Sequence, residues 1–574
     1  MSKRLSKNND NWVLQSSTAE QVKSLAKEVG VSEIVAHCLI ARGIPTADAA
    51  RKFLAPSLEH LFDPNDILNM PAAIARLQKA IQEAEQIRVV TDYDVDGTTS
   101  SLILQSTLKI LGGKEISYHI PDRMKEGYGF SVLAAEKAAK DGINLIVTAD
   151  IGVKDHDAVR RALSLGVDVL ICDHHLPAGS AVPDGAIVLC PPQAGCGYPN
   201  KALAACGVSW KLACALLAEH PKRDAILQSM LKLVAIGTVA DVVDLANPEN
   251  RAIVAKGLAR LNAGRHTAGL QALLDVSGLQ DQQILSSDLG FRVGPRINAA
   301  GRLASATTVV ELLQSRDPVA SRQLANALDT MNQERRKIQE QIIEIALGQV
   351  TEEHPPFVLV AGREDDGWHR GVTGIVAGRL RDHFSCPALV ITVTDAGCVG
   401  SMRSTPHIHA VELLEQAADL LERFGGHPAA AGFSLAASNI ADFEQRLSAT
   451  LGQTEQEQIG IQQFEVDCRV EPNEISMDLV RELGVLEPHG KGNERPLLWI
   501  GPVQLRNLKT IKDKHLKGAF QVRGEWIDVI WWSAGHLLED IAQSAHVEIL
   551  GRLEINAWRG REKPQIVVET VRLL

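Results

Sequence analysis

The sequence predicts an α/β protein: a parallel-sheet domain, a long connecting helix, a smaller α/β domain and an all-β C-terminal region. Three observations carry that prediction. Short apolar runs alternate with helix-period segments across the first half of the chain. A helical stretch from Asp317 to about Val350 then leads, past Pro355-Pro356, into a second strand–helix pattern. From about residue 461 onward the runs become β-branched and aromatic, divided by Gly and charged turns.

The 574 residues suit about three to five domains. Residues 1–80 read as polar and mostly helical, broken at Pro45, Pro56, Pro64 and Pro71. Within 81–316, strands are expected at Ile87–Thr91, Ile116–Ile120, Ile143–Thr148, Val167–Cys172 and Ala186–Leu189. Amphipathic stretches such as Ser100–Leu111, Val132–Asp141 and Ala158–Leu165 lie between most of them, and helices dominate from Cys206 to Leu313. Residues 317–350 carry Leu324, Leu328, Met331, Ile338, Ile342 and Ile345 at helical spacing, which marks a rigid connector. The smaller domain, 351–455, has expected strands at Phe357–Ala361 and Ala388–Val393, and a polar break follows at Gly452–Gly460. In the last region, 456–574, the runs Ile527–Trp532, Val547–Ile555 and Ile566–Val571 suit a small barrel of the OB type.

Composition narrows the function. A net charge of -11 excludes a surface basic all over, yet leaves room for a local basic groove. Nine cysteines without a CxxC pair argue against a disulfide framework and a structural zinc site, and fit a reducing compartment. The N-terminus has no apolar leader and no run approaches membrane-spanning length, so the expectation is a cytoplasmic, non-membrane protein.

Four clusters carry chemistry. Val89–Gly97 ends a strand with Asp92, Asp94 and Asp96, alternate residues that share one side if the strand continues. Carboxylates packed so closely repel, and a bound cation is the usual remedy. An EF-hand is excluded because Ile103 stands where its glutamate belongs, and an apolar helix follows. Asp150 ends a second apolar strand, just before Gly152. Asp173-His174-His175 ends a third, and adjacent histidines do not both sit in a core; one suits a ligand, with Asp173 or the other histidine orienting it. Asp241 interrupts the apolar Ile236–Val243. Oxygen-rich ligation with an imidazole suits Mn²⁺ or Mg²⁺.

In order, these clusters resemble the DHH phosphoesterases, and within them the RecJ single-strand-specific exonucleases. The motifs are DYDVDG at 92–97, ADIG at 149–152, DHH at 173–175 and GTVAD at 237–241. They continue with PRINAAGRL at 295–303, GWHRGVTGIVAGRL at 367–380, SMRS at 401–404 and GGHPAAAGF at 425–433. The last is similar to the DHHA1 domain of that family. Thr91 and Val95 depart from the commoner Gly and Ala.

The resemblance implies a DHH catalytic domain, a DHHA1 domain and a nucleic-acid-binding OB-fold. It implies two divalent cations held by Asp94, Asp96, Asp150, His174 and Asp241, with Asp150 bridging. Asp92, Asp173 and His175 would lie in or just behind that shell, with Asp92 counted among the metal residues and His175 among the catalytic ones. It implies a 5′-to-3′ exonuclease on single-stranded DNA that releases 5′-mononucleotides in recombination and repair. His427 and Arg302 are candidates at the scissile phosphate. Arg123, Ser401 and Arg403 are candidates for a terminal 5′-phosphate, and Arg296, Gly425 and Gly426 for other substrate contacts; guanidinium suits phosphate because it binds bidentately. Implied partners are a single-strand DNA-binding protein and a helicase, around a monomer.

Five of the eight tryptophans, Trp499, Trp526, Trp531, Trp532 and Trp558, lie in the C-terminal region, beside a basic stretch of Arg506, Lys509, Lys512, Lys514 and Lys517. They suit base stacking and strand tracking, although one of Trp531 and Trp532 must face the core. Two rival readings are a phosphodiesterase for oligonucleotides or cyclic dinucleotides and a non-catalytic repair scaffold. The connector and barrel weigh against the first, and the complete ligand set against the second.

Overall fold

The structure is a computed structural model that describes residues 5, 11–15, 17–123, 126–177, 179, 181–352, 355–451, 463–558 and 561–574. The polar break expected at Gly452–Gly460 and the side chain of Trp558 lie outside this description. The chain forms two compact units.

One unit comprises Lys52–Arg335 and Leu486–Glu494. Its five strands are all parallel, in the spatial order Ile116–His119, Ile87–Thr91, Leu145–Ala149, Asp168–Cys172, Ile187–Leu189. Because side chains alternate along a strand, Val89, Val147 and Leu170 feed one core, while Val90, Ile146 and Ile171 feed another on the opposite face. Burial on both faces is why these strands read as unbroken apolar runs. Ile87–Thr91 is flanked by the strands that follow it on either side, so the strand order reverses at its carboxyl end, where ligands collect in such sheets. The segment Leu486–Glu494 is tied to this unit by Arg251, a side chain 1% exposed that donates to Phe53, Leu486, Glu487 and Pro488 carbonyls.

The connector is one helix, Pro318–Gln349. Proline in its first turn gives up an N–H that has no helical partner there. At 1.5 Å per residue it is about 48 Å long. Ala325 and Leu328 belong to the core of the first unit, Ile342 and Ala346 to that of the second.

The second unit comprises Met1–Arg51, Arg336–Val485 and Arg495–Leu574. Its α/β part has five strands in the order Arg423–His427, Ala430–Leu435, Gly397–Arg403, Ala388–Thr394, Val358–Arg363. Only the last pair is parallel. The first three were not expected from the sequence: they are rich in Gly and Ala, which are poor strand formers. The C-terminal part is a seven-stranded sheet, as expected from its β-branched runs. Trp531 is 1% exposed and Trp532 49%, the in–out pair that alternation demands. Residues 1–80 divide at Arg51: Asn11–Leu14 pairs in parallel with Gln463–Val466, and Arg42 bridges Asp467 at 2.7 Å. No disulfide forms among the described residues.

Candidate metal centre

The four clusters converge in the first unit. Asp94 caps the helix Val95–Ile110, its Oδ1 accepting from Gly97 N at 3.0 Å. Asp96 lies in the first turn of that helix, so the strand does not continue through the three aspartates as their alternation suggested. What aims Asp96 is a second helix N-terminus: Ala205 N donates to Oδ2 at 2.7 Å and Cys206 N to Oδ1 at 2.8 Å. Asp150 follows its strand at φ +64°, a left-handed conformation that Asp tolerates better than most residues. Asp241 caps the carboxyl end of the helix Arg223–Ala240, and the next residue, Val242, stands at φ +57°. A β-branched residue there is strained, and such strain gathers at functional sites.

The side chains meet in three groups whose ligand atoms all lie within 4.8 Å: Asp92, Asp94 and Asp150; Asp96, His174 and Asp241; Asp150, His174 and His175. His174 Nε2 is 3.2 Å from Asp150 Oδ1, and its Nδ1 is 3.6 Å from Asp241 Oδ2. Asp150 and His174 each belong to two groups. Asp173 accepts from Val153 N, His174 N, His175 N and His175 Nδ1, the last at 2.7 Å. Burial would raise the Asp173 carboxyl, but His175 and these donors hold it well below the usual range. It is therefore an anion that fixes the His175 ring, leaving Nε2 to face the Tyr128 hydroxyl at 3.2 Å.

The other carboxyls shift the opposite way. Burial, then the crowding of Asp94 and its neighbours, pushes Asp92 and Asp150 well above the carboxylate range. Burial also raises Asp96, and pushes Asp241 up to about 8 even though His174 opposes it. Burial alone would depress His174, yet the carboxylates around it, Asp241 foremost, raise it. Asp92 Oδ1 and His174 Nε2 are buried with no hydrogen-bond partner; the 3.2 Å contact of His174 with Asp150 is off the line of a hydrogen bond. Buried, mutually repelling oxygens and an unsatisfied imidazole nitrogen are the donor set that a hard divalent cation satisfies.

Among the arginines, Arg123 lies over the Tyr93 ring, 5.3 Å from its centroid, and Tyr93 packs on Gly301, next to Arg302. Both guanidiniums act electrostatically on the Tyr93 hydroxyl. Arg296 does not join them: it pairs with Asp329 at 2.8 Å and donates to Arg292 O, so its fork is committed to the connector helix. In the second unit, Ser401 and Arg403 lie on one strand, and Ser401 Oγ is 3.2 Å from Thr373 Oγ1. Gly374, in the first turn of the helix Thr373–Phe384, abuts both. His427, Gly425 and Gly426 are on the strand Arg423–His427. In register, Arg403 lies beside Ala430 and Ala430 beside His427, while Ser401 lies beside Gly432 and Gly432 beside Gly425. Ser401, Arg403 and His427 thus share one sheet face, with glycines leaving room between them.

Sequence reasoning passed over Tyr128, whose signal was its place between Gly127 and Gly129, and Asp155, which accepts from Phe130 N at 2.8 Å and pins that loop. A groove of about 1010 Å³ on the first unit, lined by Leu258, Asn262, His266, Leu274, Leu285 and Pro488 among others, shares no residue with the carboxylate cluster.

Residues 86–238 match the DHH family, N-terminal domain, 356–453 the DHHA1 domain, and 466–570 the RecJ OB domain. The single-stranded-DNA-specific exonuclease RecJ of Bacillus subtilis is 35% identical over 566 residues, covering 97% of this chain and 70% of the relative. That of Escherichia coli K12 is 33% identical over 553 residues, covering 92% and 94%. The chain belongs to the RecJ family. The crystal structure of Thermus thermophilus RecJ in complex with Mn²⁺ matches 99% of this chain and 80% of its own, with a TM-score of 0.83 and 28% identity. A manganese-bound exonuclease RecJ structure covers 68% of this chain and 96% of its own, with a TM-score of 0.59 and 32% identity. The α/β architecture with an all-β C-terminal domain is therefore that of RecJ structures, and the DHH domain makes the chain a metal-dependent nuclease by family.

Proposed function

We propose that this chain is a single-stranded-DNA-specific exonuclease that hydrolyses phosphodiester bonds from the 5′ end and releases 5′-mononucleotides. The observation that carries the reading is the convergence of Asp92, Asp94, Asp96, Asp150, His174 and Asp241, from four separate stretches of chain, into ligand groups that share Asp150 and His174. Family membership supports the substrate and the choice of Mn²⁺ or Mg²⁺, the ions in the Thermus thermophilus RecJ structures.

Asp94, Asp96, Asp150, His174 and Asp241, with Asp92 beside Asp94, would hold two divalent cations, Asp150 and His174 each being common to two of the ligand groups. Bound there, such cations supply a nucleophile near neutral pH and neutralise charge on the scissile phosphate. The protein's own part is positioning. Two backbone N–H groups keep Asp96 oriented before any cation arrives, and Asp173 keeps the His175 Nδ1 proton in place, so that Nε2 can accept or hold a proton at the reacting end. Arg123 and Arg302 offer guanidiniums to phosphate oxygens, and in the second unit Ser401, Arg403 and His427 offer a hydroxyl, a guanidinium and an imidazole on one face. Exposed Trp526 and Trp532, with the basic hairpin at Arg506–Val522, suit tracking of a flexible strand. Lys517 is partly occupied by Asp528 at 3.1 Å.

The test is a single-stranded oligonucleotide labelled at either end, incubated with Mn²⁺, Mg²⁺ or chelator. Mononucleotides released first from the 5′ label, only with metal, are expected. Release first from the 3′ label, or an internal ladder, would overturn the polarity. Family membership alone supports the finer reading of a cytoplasmic monomer working with a single-strand DNA-binding protein and a helicase. Among the described residues no helix is long and apolar enough to cross a membrane.

A further inference from the structure

We propose that an apolar rim beside the carboxylate cluster, centred on Phe291, seats an unstacked nucleobase of the substrate strand. This deepens the nuclease reading above and rests on it.

Among the described residues, four exposed large apolar side chains adjoin the carboxylate cluster, by contact, by chain adjacency or through the turn that carries them. Tyr128 is 58% exposed, Leu176 67%, Val242 59% and Phe291 77%. Each is tied to a residue of the carboxylate cluster. Tyr128 contacts the His175 ring through its hydroxyl. Leu176 follows His175 directly, and Val242 follows Asp241. Phe291 lies on a single π-helical turn, Leu289–Val293, that packs against the end of the helix delivering Asp241. A Cβ on Gly290 would lie 3.6 Å from Val239, and one on Gly294 3.5 Å from Ala240 and 3.8 Å from Val95, the residue after Asp94. Such turns are rare and often mark functional sites.

Phosphate gains nothing from an apolar wall, so this rim does not serve the backbone of the substrate. A nucleobase does gain: each has a face that stacks on an aromatic ring whatever its sequence. A duplex keeps its bases stacked inside, whereas a single strand can turn one outward. An exposed ring on the turn that packs against the Asp241 helix therefore adds a chemical reason for single-strand preference, and it makes Phe291 a substrate-contacting, specificity-determining residue rather than a ligand or an acid–base group.

The experiment uses the full chain with Mn²⁺ and a single-stranded oligonucleotide. Phe291→Ala should raise KM by about 5- to 160-fold, the range of one base–aromatic stack, with kcat little changed and the melting temperature unmoved. Phe291→Tyr, which keeps the ring, should restore the wild-type KM. Substrates with one tetrahydrofuran abasic residue at each of the first few positions then locate the seated base. At one position the penalty of Phe291→Ala should vanish, because the ring has no base left to contact. An unchanged KM in Phe291→Ala, or an equal penalty with every abasic substrate, would overturn the proposal while leaving the nuclease reading intact. Wild-type protein that digests no single-stranded DNA would overturn both.

Discussion

Gly97 is where the geometry of the metal centre is most exposed to a single methyl group. A Cβ at this position would stand 2.4 Å from the Asp92 carbonyl oxygen, 2.7 Å from its carbon and 2.8 Å from its Cα. Side-chain carbons seldom approach a neighbour closer than 3.4 Å, and here the neighbour is backbone, which cannot rotate away. Gly97→Ala must therefore push the first turn of the helix away from the strand end by roughly 1 Å, a forced overpacking that costs about 1–3 kcal/mol. That shift runs between Asp92 on one side and Asp94 and Asp96 on the other, and so splits the proposed ligand set. A misplacement of about 1 Å in a catalytic constellation costs on the order of 10²-fold in rate. The assay is single-turnover release of a 5′-labelled nucleotide at saturating Mn²⁺, alongside calorimetric unfolding and Mn²⁺ titration. The expected outcome is a rate about 100-fold lower, weaker Mn²⁺ binding and a melting temperature lower by roughly 2–12 °C. A variant that cuts within twofold of the wild type, with the same Mn²⁺ affinity, would refute the claim that this contact holds the centre together.

Four further outcomes follow from the same structure. In metal-free protein Asp241 is held near 8 and His174 is raised, so both favour the proton in the folded state; stability without metal should fall as pH rises from the ordinary carboxylate range through about 8, and Mn²⁺ should reverse the loss. Mn²⁺ binding at pH 7 should release protons, from Asp241, held up to about 8, and from the likewise raised Asp92, Asp96 and Asp150, and the Asp241 share should fade as pH rises through about 8, measured calorimetrically in buffers of different ionisation enthalpy; buffer-independent heats at pH 7 would contradict it. Asp150→Asn should fold, since Asn also tolerates the φ of +64°, yet should lose Mn²⁺ affinity and nearly all activity; full activity would exclude a bridging role. Arg251→Met should leave buried carbonyls of Phe53, Leu486, Glu487 and Pro488 without this donor, costing about 1–3 kcal/mol for each one left unsatisfied, read by denaturant unfolding; a loss under about 1 kcal/mol in all, the net worth of a single ordinary hydrogen bond, would show that water replaces the guanidinium.

Much of the site was legible in the sequence, and the reason is local. Each candidate ligand sits where an apolar run stops, and a buried strand or helix announces its end within a few residues by admitting a carboxylate, an imidazole or a glycine. The parallel order of the sheet was legible for the same reason, since strands buried on both faces carry continuous apolar runs. The Gly- and Ala-rich strands at Gly397–Arg403, Arg423–His427 and Ala430–Leu435 were less so, because their pairing rests on neighbours and close backbone approach rather than on side-chain propensity.

What the chain by itself determined is the inventory: three carboxylates in DYDVDG, the lone Asp150, the Asp-His-His triplet and Asp241, each at the end of a buried element. What only the tertiary structure decided is how they face one another. Asp96 is aimed by backbone N–H groups 109 and 110 residues further along. His174 reaches both Asp150 and Asp241, Arg296 turns to Asp329, and His427 aligns with Arg403 through Ala430. Local periodicity is set by the nearest few residues, whereas these meetings depend on which distant surfaces bury each other, and no short pattern in the chain encodes that choice.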